Sequence, residues 1–356
     1  MTTFRRAGIL LCAFAMLIAV PARTAFSQPA AAPAIPGSVP NAGAPEARGP
    51  RAPAEFWYME RGKAGVYTPP MRPLWKLSEL LHVHAGQNDW SEQIIKDNLQ
   101  DVTYHSAGTG SKILPRMHME TDAVFVVMKG TMHFNVEGQA PVTATRGGIV
   151  NVLNDTIYSY SVDGAQNALW VEIHPLWYQT VYPATEPMPP VEGGKELVKV
   201  SFAHRPPAYT DNNRLYFNLF EAIASCQPVA NVVNDDHIHV SPLLGWVNPA
   251  DNKCGGGSGN IGSGPDRPDA PPFVTNSTFG HLHHGVVEWW IIQSGAISGK
   301  FENTGEFHAV EGDVLYAAPD MWHQMAAEAP SGPSVRTAIG GYQIVNMNNT
   351  GPANGR

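Results

Sequence analysis

The chain has 356 residues, 43% of them hydrophobic and only 15% charged, with 31 acidic groups against 23 basic ones. That suffices for one large domain or two ordinary ones with substantial cores. The acidic balance, without any basic run, excludes the electrostatic footprint of a nucleic-acid binder or of a protein held on anionic membrane.

The chain opens with MTTFRR, then the 14-residue apolar run AGILLCAFAMLIAV, then PARTAFS. Charge, apolar run and small residues in that order form an export signal, residues 1–27, with cleavage expected before Gln28. Fourteen apolar residues are too few for a comfortable membrane span. The Arg5-Arg6 pair raises twin-arginine export, although Phe4 and Gly8 fit that pattern poorly. Cleavage removes Arg5, Arg6 and Arg23 and no acid, leaving 20 basic against 31 acidic groups, a net charge of −11. The expected location is periplasmic or secreted, free of the membrane once the signal is gone. In such an oxidising compartment Cys226 and Cys254 are expected to form a disulfide, two buried thiols being the alternative.

Residues 28–55 are rich in Pro, Ala and Gly with almost no large apolar side chains, the composition of a flexible tether. From Phe56 onward short apolar runs alternate with Gly, Pro, Asn and Asp: AVFVVMKG, TMHFNVEG, GIVNVLND, then EWWIIQSG, AISGKFENTG and DVLYAAPD. Strands of five to seven residues between such turns predict an all-β sandwich or barrel. The segment Arg214–Ile223 reads as a short helix or another strand.

An internal repeat organises these strands. Shifted by 165 residues, Arg116–Tyr158 lies over His281–His323 without a gap, and Gly130 and Gly147 fall on Gly295 and Gly312. Six of the 43 aligned positions are identical, but apolar runs and turn glycines coincide throughout. HVH at 82–84 and HIH at 237–239 extend the repeat with an offset of 155; both read as strands with hydrogen-bonded imidazoles rather than as metal sites. Two tandem β-barrel domains are therefore expected, 56–190 and 191–349, with a short tail 350–356. The Gly-rich run Gly255–Gly264 lacks the Lys-Ser/Thr ending of a phosphate loop and reads as a cover before the His281 strand.

The chemistry concentrates in GHLHHGVVEWWIIQSG, residues 280–295. Alternation along a strand sends His281 and His283 to one side and His284 to the other. The next strand then presents Glu288, Trp290 and Ile292 on one face. A carboxylate among tryptophan and isoleucine is expensive to bury unpaired, and a metal ion supplies the missing positive charge while accepting neutral imidazoles. His323, after the turn at Pro319-Asp320, provides a fourth ligand. The alternative for all four is surface histidines and a solvated glutamate. His284 is expected not to ligate, leaving it a role in proton transfer.

The spacing His281-x-His283, four residues, Glu288, six residues, Gly295 resembles the first motif of the cupin superfamily. Gly312, Asp313, Pro319 and His323 are similar to its second motif, with one residue fewer between Pro319 and His323 and Met321 in place of a usual glycine. The chain thus looks like a bicupin, which implies two double-stranded β-helix barrels. The aligned positions of the first copy are Arg116, His118, Ala123 and Tyr158, so that barrel is expected to be metal-free and structural.

The resemblance implies one divalent metal per chain at His281, His283, Glu288 and His323, with iron(II) leading and manganese, nickel, copper or zinc compatible with the ligand set. The catalytic residues are not identifiable, although Glu288 is a candidate base as well as a ligand. Trp290, Tyr316, Met321 and Trp322 are candidate lining of a substrate pocket, or else ordinary core. The leading expectation is an iron(II) oxygenase, dioxygenase-like, acting on a small aromatic or phenolic substrate. Rivals are a manganese decarboxylase of the oxalate type, another cupin lyase or isomerase, and a non-catalytic binding protein that retains a metal. Homo-oligomerisation is open.

Overall fold

A computed structural model describes residues 63–184, 197–211, 213–225, 280–327 and 334–340, and the strands Val233–Asn234, His239–Gly245, Gly259–Asn260 and Met347–Asn349. The expected signal, the tether, the Cys226–Cys254 bridge, His237 and the tail lie outside the described residues.

The fold is all-β, with two helices of seven residues each among the described residues. In the first half a six-stranded sheet runs Tyr216–Asn218, Gly148–Val152, Ala123–Lys129, Ala168–Pro175, Gln100–Ala107, Trp90–Lys96. It faces a three-stranded sheet of Val142–Thr145, Thr131–Val136 and Tyr158–Asp163. In the second half a seven-stranded sheet is built around Val314–Ala317, Glu288–Ser294, Ser334–Gly340 and His239–Gly245. A five-stranded sheet of Gly305–Val310, Ala296–Phe301, His323–Ala327, Gly280–Leu282 and Met347–Asn349 closes it. Each half is an antiparallel double-stranded β-helix, and the strands repeat at the 165-residue offset, Ala123–Lys129 over Glu288–Ser294 and Thr131–Val136 over Ala296–Phe301.

Turn chemistry explains part of that coincidence. Gly130, Gly147, Gly295 and Gly312 all hold positive φ, between 71° and 91°. A side chain at Gly147 would also collide with the Phe220 ring, 2.3 Å from an added Cβ, so glycine is required there on two counts.

The two large sheets are apolar on both faces, which is why AVFVVM and EWWII read as unbroken runs rather than alternating ones. Phe125, Val127 and Trp170 point into the first barrel, whereas Val124, Val126, Val171 and Ile173 join a core that continues to Trp289, Ile291 and Leu315 of the second half. Trp289 and Trp290 are both fully buried. Each contributes about 5 kcal/mol of transfer free energy at roughly 200 Å² per tryptophan.

Two short strands cross between the halves. Leu74–Trp75 pairs with Leu315 and Val314 of the second barrel, and Tyr216–Asn218 pairs with Val150, Ile149 and Gly148 of the first. Arg214–Ile223 is thus both things its sequence allowed, a strand and then the helix Leu219–Ser225, whose first N–H groups at Phe220 and Glu221 are capped by Asn218 Oδ1. The HVH segment departs from expectation: His82 lies on the helix Leu77–Val83, and His84 ends it, stacked on Trp90 at 4.6 Å.

Candidate metal centre

Three elements deliver the four side chains. His281 on Gly280–Leu282 is the direct cross-strand partner of His323, and both belong to the five-stranded sheet. Glu288 opens its strand in the opposing sheet, between Ala317 and Gly340. His283 follows its strand as the chain turns across. The four ligand atoms lie within 4.8 Å of one another, the one such group of His, Cys, Asp and Glu side chains among the described residues.

The site is dry. His283 and His323 are 2% and 1% exposed and Glu288 is 9% exposed. Trp290 meets the His323 ring edge-on at 5.1 Å, and Phe301 stands 6.3 Å from the same ring. Burial by itself would favour the protonated acid at Glu288, but hydrogen bonds from His283 (2.5 Å) and the nearby His323 (3.4 Å) outweigh it and hold the carboxyl far below its usual range. Burial and the adjacent His323 push the His281 imidazole down to about 3, so it is neutral at neutral pH. His323 Nδ1–H donates to the Met321 carbonyl at 3.0 Å, which orients the ring and turns Nε2 toward the centre. That Nε2 sits 3.1 Å from His281 Nε2. A divalent cation coordinated by both satisfies the pair and the carboxylate at once, so the donor set fits a metal.

Asp320 positions the histidine turn, a role the motif reading missed. Held at φ +58°, it donates its backbone N–H to the His283 carbonyl at 3.0 Å. Its carboxylate accepts from His284 Nδ1 at 2.8 Å and from the Gly285 N–H at 3.4 Å. A readable signal existed: Asp155 lies at the repeat offset, also has positive φ (52°), and donates to the His118 carbonyl at 2.7 Å. His284 itself is exposed and turned away from the other histidines' centre.

The aromatic candidates separate. Trp290 borders the centre. Met321 acts through its carbonyl on His323, while its sulfur accepts the Tyr67 hydroxyl at 3.0 Å. Trp322 is fully buried beneath Gly280, where an added Cβ would come within 2.4 Å of its ring. Tyr316 is the cross-strand partner of Trp289 and donates its hydroxyl to Asp97 at 3.0 Å, which turns it toward the first half.

Two jelly-roll barrels of the same strand order, one enclosing three histidines and a glutamate at motif spacing, decide the architecture. The fold is that of a bicupin. Its His/Glu group resembles a cupin metal site. Solved structures similar to the chain are cupin proteins. A cupin 2 conserved barrel domain protein from Leptotrichia buccalis matches with a TM-score of 0.45 and 11% identity, over 79% of this chain and 99% of that one. A variant of salicylate 1,2-dioxygenase from Pseudoaminobacter salicylatoxidans matches at 0.49 and 11%, over 75% and 83%. A variant of oxalate decarboxylase from Bacillus subtilis matches at 0.44 and 10%, over 79% and 81%. No family model matches the chain, and no curated protein does.

Proposed function

We propose that this bicupin is an exported, metal-dependent oxygenase that acts on a small aromatic or phenolic molecule, with iron(II) at His281, His283, Glu288 and His323. The observation that carries the reading is the convergence of three imidazoles and one ionised carboxylate on a single buried point. Four protein ligands leave one or two positions of an octahedral ion open, and the ion supplies a place where substrate and dioxygen meet, or a Lewis acid. The protein's own part is to exclude water, through Trp290 and Phe301, to orient the His323 ring, through the Met321 carbonyl, and to hold the histidine turn, through Asp320. The order of charge, apolar run and small residues at 1–27 supports export. The partner is a small molecule, and the acidic mature chain carries no surface run for nucleic acid.

The test is oxygen uptake by iron-loaded protein across catechols, flavonols and diketones, set beside carbon dioxide release from oxalate by the manganese form. Substrate-dependent oxygen uptake that His283→Ala abolishes supports the proposal. Carbon dioxide release without oxygen consumption replaces it with a decarboxylase, and turnover of neither makes the protein a binding module.

A further inference from the structure

At the repeat offset the first barrel has Arg116, His118, Ala123 and Tyr158 where the second has its four ligands, and those residues alone close no metal site. The structure brings two more side chains into the same space from the strand Ala168–Pro175. Pairing of Val124 with Ile173 sets His174 across from Ala123, so an imidazole occupies the volume opened by alanine. In the second barrel the exchange runs the other way, with Glu288 facing Gly340. The His174 and His118 rings are 4.6 Å apart, within the 4.4 to 5.3 Å spread of the three imidazoles at the metal centre.

The hydrogen bonds around this pair leave one imidazole nitrogen, His174 Nδ1, without a partner among the described residues. His174 Nε2–H donates to Glu172 Oε1 at 2.9 Å, and the Trp170 indole donates to Oε2 of the same carboxylate at 3.3 Å. His174 is 5% exposed, and its Nδ1 is buried with no hydrogen-bond partner among the described residues. Leaving such an atom unsatisfied costs about 1–3 kcal/mol. His118 Nε2 faces the Tyr158 hydroxyl at 3.0 Å, and its Nδ1 lies 3.5 Å from Thr180 Oγ1. A carboxylate behind one imidazole, with the opposite nitrogen bare, is how proteins orient and strengthen a metal-ligating histidine.

We propose that the first barrel holds a second and weaker transition-metal site, in which His118 Nε2, His174 Nδ1 and the Tyr158 oxygen ligate a borderline ion such as zinc(II) or copper(II), with Glu172 as the positioning carboxylate. Two nitrogens and one oxygen suit those ions. The site is weaker because Arg116 takes the place of a fourth ligand and adds positive charge, its guanidinium standing over the Tyr182 ring at 5.4 Å. Tyr178, stacked on His174 at 4.0 Å, fences the space. The inference is independent of the oxygenase reading.

The experiment uses the full chain carrying His283→Ala and Glu288→Gln, which disables the other centre. Zinc(II) is titrated in competition with a chromophoric chelator, and circular dichroism confirms folding. One zinc ion per chain is expected, with affinity falling about tenfold or more in Glu172→Gln and further in His174→Ala. Copper(II) in the same background is expected to show two imidazole nitrogens by electron paramagnetic resonance, and a visible phenolate charge-transfer band that Tyr158→Phe removes. Tyr158→Phe deletes one oxygen and keeps the ring, so it serves where His174→Ala fails to fold. Absence of zinc binding in the folded background overturns the proposal, as does binding indifferent to His174, Glu172 and Tyr158.

Discussion

Gln100 Oε1 accepts the indole N–H of Trp289 at 2.6 Å, and Gln100 Nε2 donates to the Gly340 carbonyl at 3.2 Å. Gly340 is the cross-strand partner of Glu288, and Trp289 is its chain neighbour. One fully buried amide of the first half therefore holds the strand that carries the carboxylate of the second and the strand paired with it. Gln100→Leu strands the Trp289 N–H and the Gly340 carbonyl in an apolar interface. Stability should fall by about 1–3 kcal/mol for each group left unpaired, read as a lower urea midpoint with little change in slope.

Asp320 predicts a separable effect on the metal. Asp320→Ala removes the acceptor for His284 and the Gly285 N–H and makes φ +58° harder to hold. Metal affinity should drop about tenfold or more in a protein that still folds. Asp320→Asn keeps an acceptor and tolerates the left-handed conformation, so it should recover most of the loss. Equal affinity for all three proteins would remove Asp320 from the site.

Gly280 is a packing test of the same region. An added methyl meets the Trp322 ring at 2.4 Å and the His323 carbonyl at 2.6 Å, neither able to retreat within a closed sheet. Gly280→Ala should therefore destabilise by about 1–3 kcal/mol and weaken metal binding with it, because the displaced strand carries His281. Thermal unfolding of metal-free and metal-loaded protein measures the two losses separately.

Much of this site was readable because its spacing is local. His281, His283 and Glu288 fall within eight residues, and the 165-residue repeat carries the turn glycines with it. Even the Asp155–Asp320 clamp is one of the six identities in the aligned window. What escaped was set by partners remote in the chain. Nothing near Ala123 signals that His174, across a strand pair, fills its place. Leu74–Trp75 and Tyr216–Asn218 are too short to show which barrel they join. The helix Leu77–Val83 is under two turns long, and Leu81 and Val83 are exposed, which leaves it no clear apolar stripe.

His204 makes a pH prediction away from both centres. Its Nδ1 meets Asp155 and its Nε2 meets Glu137, each at 2.8 Å, pinning the segment 197–205 to the first barrel. The hydrogen bond to Asp155, then Glu137, raises the imidazole above its ordinary 6.5. Burial works to raise Asp155, but the Arg205 N–H and His204 outweigh it and hold the carboxyl below its ordinary 3.8. The tether contributed by His204 is thus complete below pH 6.5 and lost as pH rises through the raised value, whereas Asp155's share is lost only as pH falls below 3.8. Amide exchange at 199–205, corrected for intrinsic rates, should increase above neutrality, and His204→Gln should flatten that dependence.

The most direct measurement is metal content after passage over a weak chelating resin, for the full chain purified without added ions. The account predicts a first-row divalent ion retained by the unaltered protein and released by an equally folded His283→Ala variant, the resin stripping the weaker first-barrel site from both. Unaltered protein that emerges without metal and gains no stability from added iron(II), manganese(II) or zinc(II), or a His283→Ala variant that holds its ion equally well, contradicts the account.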